Sequence, residues 1–398
     1  MRTRTELARS LDEARQQTDE LFRCIRPDSL YERPIPERHR ILFYVGHVEA
    51  FDWNLIARYA LDVPAFHPGF DRLFAFGIDP PPGELPADQP ADWPGLTEVE
   101  RYNRRVREEL DELLENVPDQ LFHVAIEHRL MHAETFAYIL HQLPYERKMA
   151  PAGPGAGDWG LGAGWEERRL RAAMIPVPQG QAHLGLPPGA PFGWDNEFQP
   201  HTVEVPAFSI ASHKTTNREY LEFVRQGAAA PLFWVKRGGL WMYRGMFGEY
   251  PLPGECPVYV THREAEAYAA WRGMRLPSEA EFHRAACGAK PSANVDFRYW
   301  DPIPVHADDL PSGGQMPARP AQMVGNGWEW TSTVFAPFPG FQPFPFYANY
   351  SAPFFDGEHF VIKGASPRTA ACFLRPSFRN WFRPSYPYIY GSFRLVES

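Results

Sequence analysis

Residues 127–134 read EHRLMHAE and lie in the middle of a segment whose pattern predicts a helix from residue 119 to residue 143, stopped by Pro144. His128 and His132 are four residues apart, so a helix places them on one face, one turn from each other. Two imidazoles in this arrangement can bind one metal ion. Ordinary surface and core histidines show the same spacing, so the pair needs a further ligand to indicate a metal site.

A third histidine lies in an apolar helical pattern at residues 41–59, within the stretch VGHVEAF. Burying His47 there is costly unless its ring has a partner, either a metal ion or a hydrogen bond to a neighbouring helix. Three neutral imidazoles leave half of an octahedron open, which suits iron(II) with a substrate and O₂. They also suit zinc with one open position, and the spacing does not separate the two metals. Glu49 and Glu134 are candidates to orient a ligand ring.

The chain of 398 residues is long enough for two domains. Residues 1–148 show four amphipathic helical patterns and predict a four-helix bundle that carries the three histidines. Residues 149–172, which begin with a run rich in glycine, alanine and proline, predict a linker. Residues 173–398 predict a second domain with much irregular structure, and little regular pattern after Gly288. The predicted fold class is therefore α+β with two domains. In the second domain we expect strands at residues 174–177, 201–205 and 208–211 and helices at residues 217–226, 263–272 and 278–286.

Composition argues against several classes of protein. The net charge of −9 and the pI near 5.9 disfavour a nucleic-acid partner, which needs a basic surface. No apolar run approaches the ~20 residues of a membrane-spanning helix, and the charged start of the chain has no apolar signal-peptide core. The four cysteines form no close pair in sequence, which is typical of reduced thiols in a cytosolic protein. A cytoplasmic location without a membrane partner is therefore expected.

The stretches GHVEAFDWN (residues 46–54) and HRLMHAE (residues 128–134) resemble the DinB-like bundle of ergothioneine-type sulfoxide synthases. In that family, one histidine of the first helix and two histidines of the second helix bind iron(II). The resemblance therefore implies an iron(II) enzyme with O₂ as co-substrate. It also implies that His47, His128 and His132 are the metal ligands.

The second domain resembles the formylglycine-generating-enzyme fold, which is related to C-type lectins. A formylglycine-generating enzyme needs a copper-binding pair of cysteines, and Cys372 has no close cysteine partner. We therefore do not expect that activity, and the fold is expected to supply a substrate pocket. The matching stretches occur in family order: MIPVPQGQAHLG (174–185), PFGWDNEFQPHTVEV (191–205), TTNREYLEF (215–223), RLPSEAEFHRAA (275–286), GNGWEWTS (325–332) and GSFRL (391–395).

The sequence FRNW at residues 378–381 resembles the motif with which the family holds hercynine, a trimethylated histidine. The resemblance implies that Asn380 and Trp381 bind this substrate. A quaternary ammonium group donates no hydrogen bonds and is bound by aromatic faces. Residues 335–394 contain 18 aromatic side chains, which indicates an aromatic pocket or, alternatively, aromatic packing between loops. A tyrosine in this region donates a proton in the family, so Tyr347 and Tyr350 are candidates for catalysis.

Three departures from the family concern the second substrate. The family helix HEQQHQE has arginine, leucine and methionine between its first two histidines here. Residues 77–94 contain no arginine or lysine, whereas enzymes that use γ-glutamylcysteine have an arginine-rich loop there. Phe382 and Tyr386 stand where the family has an aspartate and an arginine. Thiols that carry carboxylates are held by bidentate arginines, and Arg379 and Arg383 remain as candidates for that role.

These departures favour an uncharged donor. Selenoneine synthases, which belong to this family, take a selenosugar, and sugars stack on aromatic rings such as those of Phe382 and Tyr386. The sequence therefore predicts oxidative formation of a carbon–selenium bond between hercynine and a selenosugar, with Arg379 also contacting substrate. One alternative is an ergothioneine-type sulfoxide synthase that uses cysteine or another thiol. Two others are a zinc-dependent thiol transferase and a lectin-like binding module with a vestigial metal site.

Overall fold

The computed structural model describes residues 3–78, 85–151, 173–187, 189–292, 294–305 and 319–397. The chain divides into two compact units, Met1–Ala152 and Gly153–Ser398. Its mixture of helices and sheets confirms the α+β fold class. The linker expected at residues 149–172 lies outside the described residues from 152 onward and stays a prediction. No described helix is long and apolar enough to cross a membrane.

The first unit is built from helices. The segment Trp53–Ala60 continues the second helix with wider, π-helical turns. The first helix begins at a capping box formed by Thr3 and Glu6, and it buries the apolar face expected from the sequence. The helices are α1 (Arg4–Arg23), α2 (Ile41–Asp52), α3 (Pro68–Phe76), α4 (Leu96–Leu113) and α5 (Asp119–Gln142).

Helices α2 and α5 carry the three histidines through the interior of this unit. Almost every residue of α2 is buried, so this helix has no solvent-exposed face. Helix α5 buries most of its length and ends at Gln142, as expected from Pro144. Helix α3 was not predicted, because a helix of nine residues is too short for its periodic pattern to be recognised in the sequence.

The second unit contains four small sheets among its described residues, with strand orders β1-β4-β12, β10-β9-β8-β11, β2-β3 and β5-β6-β7. All three predicted strands and all three predicted helices are present, with helix bounds within one residue at each end. The strands are β1 (Met174–Val177), β2 (Gly180–Leu184), β3 (His201–Val205), β4 (Phe208–Ala211), β5 (Trp234–Arg237), β6 (Leu240–Arg244), β7 (Glu249–Pro251), β8 (Gly327–Val334), β9 (Phe360–Ala365), β10 (Asn380–Phe382), β11 (Gly391–Ser392) and β12 (Val396–Glu397), and the helices are α6 (Asn217–Arg225), α7 (His262–Trp271) and α8 (Glu279–Ala285).

The four-stranded sheet positions the candidate substrate-binding residues, because β10 pairs antiparallel with β9 at its edge. The expectation of little regular structure after Gly288 was wrong for β8 and β9, which pair with each other. The first five residues of β8 are all buried, so the strand shows no alternation of polar and apolar residues. Its buried polar residues have partners: Glu329 binds Arg394 at 2.9 Å, and the Thr331 hydroxyl donates to the Val361 carbonyl at 2.7 Å.

Candidate metal centre and substrate-binding residues

The side chains of His47, His128 and His132 converge inside the first unit. Each offers a ring nitrogen, and the three nitrogens lie within 4.8 Å of one another. The Nε2 atoms of His47 and His132 are 3.2 Å apart. Two nitrogens bound to one ion at about 2.0–2.1 Å lie about 3 Å apart in a tetrahedral or octahedral site. The separation of these two nitrogens therefore fits two ligands of one metal ion.

The orientation of His47 is set by a helix that the sequence did not reveal. Its Nδ1–H donates to the backbone carbonyl of Phe74 in α3 at 2.6 Å. This bond fixes the tautomer and leaves the Nε2 lone pair available to a metal, as is usual for metal-binding histidines. Helix α3 comes close here because Gly46 has no side chain: a Cβ atom at Gly46 would lie 2.4 Å from the Phe74 ring.

Burial keeps the three rings neutral. It lowers the pKa of His47 from 6.5 to about 4, against the opposing effect of the Phe74 hydrogen bond. Burial and the neighbouring histidine rings hold the pKa of His128 well below its usual range, and the pKa of His132 is lowered by the same causes. His132 Nδ1 is buried and has no hydrogen-bond partner among the described residues. Neutral imidazoles are the form that binds metals, so this donor set fits iron(II) and also zinc.

Glu49 does not orient a ligand ring in the way that the sequence suggested. Its carboxylate binds the guanidinium of Arg129 at 2.8 and 2.9 Å and that of Arg107 at 2.6 Å. The ring of His128 instead lies flat against Phe51, with centroids 3.3 Å apart and planes 10° apart.

In the second unit, an aromatic cluster brings Trp381 together with both candidate tyrosines. The ring of Trp381 stacks on Phe335 with centroids 4.2 Å apart and meets the ring of Tyr350 edge-on at 5.5 Å. Tyr350 stacks on Trp194 at 4.0 Å. We define the aromatic cluster as Trp194, Phe335, Tyr347, Tyr350, Phe354 and Trp381.

Tyr347 and Tyr350 differ in their surroundings. Tyr350 is buried, whereas Tyr347 is only half-buried. Burial, with a smaller effect from Asp195, raises the pKa of Tyr347 to about 12, so its hydroxyl keeps its proton at neutral pH. Asp195 is itself buried and accepts a hydrogen bond from the Ser351 hydroxyl at 2.5 Å. Nothing in the sequence around Asp195 pointed to this contact, which joins segments 156 residues apart.

The strand with the candidate substrate-binding residues is anchored from its buried side. Arg379 is 2% exposed, and its guanidinium binds the Glu279 carboxylate at 3.0 and 3.1 Å. It also donates to the carbonyl of Ala336 at 3.0 Å and covers the Phe338 ring. Lys363 donates to the carbonyls of Pro376 and Phe378 at 2.8 and 2.5 Å. These contacts make Arg379 an anchor of the strand, and its direct contact with substrate stays a prediction.

The remaining candidates lie on or just beyond β10. Asn380 and Trp381 are half-buried, and the amide oxygen of Asn380 accepts the backbone N–H of Trp381 at 2.9 Å. Phe382 and Tyr386 stack on each other with centroids 5.6 Å apart and planes 7° apart. Sequence reasoning missed Glu279 and Lys363, which no local motif connects with this strand.

Both units match known families in sequence. Residues 10–146 match the DinB superfamily, and residues 164–303 and 320–398 match the sulfatase-modifying factor enzyme 1-like domain. The fold and the histidine triad therefore define a DinB domain joined to a sulfatase-modifying-factor-like domain.

Individual proteins that this chain resembles define its family more narrowly than the two domain matches do. The hercynine oxygenase of Mycolicibacterium smegmatis is 34% identical over 328 residues, which cover 72% of this chain and 74% of that protein. The hercynine oxygenase of Mycobacterium tuberculosis is 37% identical over 52% of this chain and 56% of its own length. Ergothioneine biosynthesis protein 1 of Neurospora crassa is 25% identical over 93% of this chain and 55% of its own length. The chain belongs to the family of the hercynine oxygenases, and it spans about half the length of the last two relatives.

Proposed function

We propose that this protein is a non-haem iron(II) enzyme that uses O₂ to attach a chalcogen atom to hercynine. The observation that carries this proposal is the triad of His47, His128 and His132, whose ligand nitrogens lie within 4.8 Å in a chain related to hercynine oxygenases. When bound, iron(II) supplies Lewis-acid activation and the redox chemistry of O₂. The triad would hold the metal through neutral nitrogens and would leave further coordination positions to the substrates.

Residues of the second unit are proposed to hold hercynine and to supply a proton. Trp381 is half-buried and offers an aromatic surface of the kind that attracts a trimethylammonium group, and Tyr350 packs edge-on against its ring. The amide nitrogen of Asn380 offers a donor for a carboxylate. Tyr347, whose pKa of about 12 keeps it protonated, holds a proton at its hydroxyl for delivery to a developing anion.

We propose a selenosugar as the chalcogen donor. The C–H bond at the imidazole carbon between the two nitrogens and the Se–H bond of the donor would break as the carbon–selenium bond forms. O₂, the oxidant, would place one oxygen atom on selenium and leave the other as water. Two arginines of the second unit are already paired with buried carboxylates, Arg379 with Glu279 and Arg375 with Glu197 at 2.5 Å. They are therefore poorly suited to bind the carboxylates of a peptide thiol. The half-exposed stack of Phe382 and Tyr386 offers the aromatic faces that sugars use.

A thiol donor is the second candidate. The relatives include proteins named for ergothioneine biosynthesis, and Arg383, with 64% of its side chain exposed, is accessible to a carboxylate. This alternative shares the metal and hercynine with the first proposal and differs in the donor alone.

The experiment compares donors in one preparation. The protein is loaded with iron(II) without oxygen, mixed with hercynine, and exposed to air with a selenosugar, cysteine or γ-glutamylcysteine, while mass spectrometry follows hercynine and its products. Product with the selenosugar alone supports the first proposal, and product with a thiol alone replaces it by the second. No product with any donor, or equal product without O₂, contradicts the iron chemistry. The His128→Ala variant serves as the inactive control.

A further inference from the structure

Arg129 lies between the two histidines of α5, directly after His128, and is completely buried. Its guanidinium reaches across to α2. It donates to both carboxylate oxygens of Glu49 at 2.8 and 2.9 Å, to the Asp52 carboxylate at 2.6 Å and to the Val48 carbonyl at 2.9 Å. A bidentate bond of this kind fixes both distance and direction between the groups it joins.

The partners of Arg129 on α2 follow the third metal ligand in the sequence. Val48 and Glu49 follow His47 directly, and Asp52 lies little more than one turn further along α2. The Arg129 side chain on the ligand-bearing turn of α5 therefore forms hydrogen bonds with the ligand-bearing turn of α2. A slide of one residue between two helices moves a side chain by about 1.5 Å along the axis, whereas a metal site tolerates errors of about 0.5 Å in its ligands.

The charge of Arg129 explains why its guanidinium forms so many hydrogen bonds with α2. A buried guanidinium needs carboxylate partners, and Glu49 and Asp52, both buried, supply them at 2.8 and 2.6 Å. Arg107 of α4 extends the network from Glu49 to Asp19 of α1, at 2.7 and 2.8 Å. Buried ion pairs of this kind add little net stability compared with apolar side chains of similar volume. The network is better explained by the alignment of helices than by stability.

We infer that Arg129 is a positioning residue of the metal centre, which holds α2 and α5 in the register that brings His47 to His128 and His132. This inference rests on the proposed metal-binding function. The two ligand-bearing helices approach each other from opposite parts of the bundle sequence, and the contact between Arg129 and Glu49 joins residues 80 positions apart. Loss of the hydrogen bonds between Arg129 and α2 is expected to weaken metal binding even though all three histidines are present.

The test is metal affinity, measured on the full chain without oxygen. Iron(II) is titrated against a chelator, and cobalt(II) is titrated separately as an optical probe of ligand geometry. We expect Arg129→Met to weaken both metals on the order of tenfold to a hundredfold, the range typical of residues that orient metal ligands. Arg129→Lys is expected to fall between, because a lysine cannot make the bidentate bond.

Arg15→Met is the matched control. Arg15 is also buried in this unit and its charge acts on Asp52, but its hydrogen bond goes to Asp111 at 2.7 Å and so joins α1 to α4. We expect its metal affinity and its cobalt(II) spectrum to match those of the unchanged protein, even if its melting temperature falls. A purely structural role for Arg129 would likewise lower the melting temperature and leave the affinity unchanged at temperatures where the variant is folded.

Arg129→Met leaves the buried carboxylates of Glu49 and Asp52 without this partner and could therefore unfold the protein. A second variant keeps the inference testable in that case. The triple variant Glu49→Gln/Asp52→Asn/Arg129→Met removes the three charges together, and we expect it to fold and to bind metal at least about tenfold more weakly. A folded single or triple variant with unchanged affinity and an unchanged cobalt(II) spectrum overturns the inference. If the unchanged protein binds less than one equivalent of metal, or if His128→Ala binds as tightly as it does, the proposed metal-binding function itself fails.

Discussion

The metal triad and the aromatic cluster are built in opposite ways. The triad stands on two long helices, and two of its three members are one turn apart on α5. The aromatic cluster draws Trp194, Tyr350 and Trp381 from separate loops and one short edge strand. A helix carries its own backbone hydrogen bonds and holds side chains in a known order. Loops lack that internal frame, so their side chains are positioned by contacts from elsewhere.

Both regions nevertheless contain a buried arginine that binds a glutamate from a distant part of the chain. Arg129 binds Glu49 in the first unit, and Arg379 binds Glu279 in the second. The first pair aligns helices that are already formed. The second pair, with Lys363, holds the backbone of the strand itself, because the lysine bonds two carbonyls just before Asn380. Loss of the second pair is therefore expected to disturb local order more.

The largest expected effect is the loss of one metal ligand. His128→Ala should abolish stoichiometric iron(II) binding and reduce turnover on the order of a thousandfold or more, since the two remaining imidazoles are too few to hold the ion. Metal analysis and product formation measure this. The control is His123→Gln, a half-buried histidine of the same helix outside the triad, which should retain both properties. Full turnover by His128→Ala would show that the triad is not the centre of the reaction.

The arginine anchor of the second unit gives the next effect. Arg379→Met removes the closest cation from the buried Glu279, leaves Lys363 at 3.8 Å, and should cost about 3–5 kcal/mol in the free energy of unfolding. The KM for hercynine should rise while iron(II) affinity is unchanged. Denaturant unfolding and hercynine titration measure the two quantities. Arg383→Met, at an exposed site, should change stability by less than about 0.5 kcal/mol. If folded Arg379→Met bound hercynine as tightly as the unchanged protein, Arg379 would have no role in substrate binding.

Acid should destabilise the metal-free triad. The pKa of His47 is 6.5 in an unfolded chain and about 4 in the fold, so the unfolded state binds more protons between these values. Stability therefore falls as the pH drops from 6.5 towards 4, by about 3 kcal/mol from His47 alone, because each unit of pKa is worth about 1.36 kcal/mol. Unfolding of the metal-free protein at several pH values tests this. His47→Asn should flatten the dependence, and an equal slope in both proteins would contradict it.

The smallest effect concerns the close approach of α3. Gly46→Ala should push the Phe74 ring away and cost about 1–3 kcal/mol of stability, as is usual for overpacking. It should also weaken metal binding, because Phe74 holds His47 through its carbonyl. Gly69→Ala in α3 itself is the control, since its nearest neighbour would lie 3.8 Å away and alanine favours a helix. Tolerance of Gly46→Ala without loss of affinity would mean that α3 does not position His47.

Sequence reasoning was most successful where chemistry is carried by regular structure. It identified α5 and the pair of histidines on it, and the structure places His47 beside them. It failed for β8, whose buried polar residues hide the alternation of a strand, and for α3, which is short. The substrate contact proposed for Arg379 stays a prediction, and the sequence alone did not show that Glu279 binds this guanidinium.

The sequence by itself determined the one-turn spacing of His128 and His132, because helical periodicity is a local property, and its resemblance to known families indicated the two kinds of domain. Only the tertiary structure decided how His47 meets that pair, which tautomer Phe74 imposes on it, and which carboxylates hold Arg129 and Arg379. These outcomes depend on contacts between residues that are 27 to 100 positions apart in the chain. Such contacts arise from packing and from the need to pair buried charges, and neither leaves a periodic signal in the sequence.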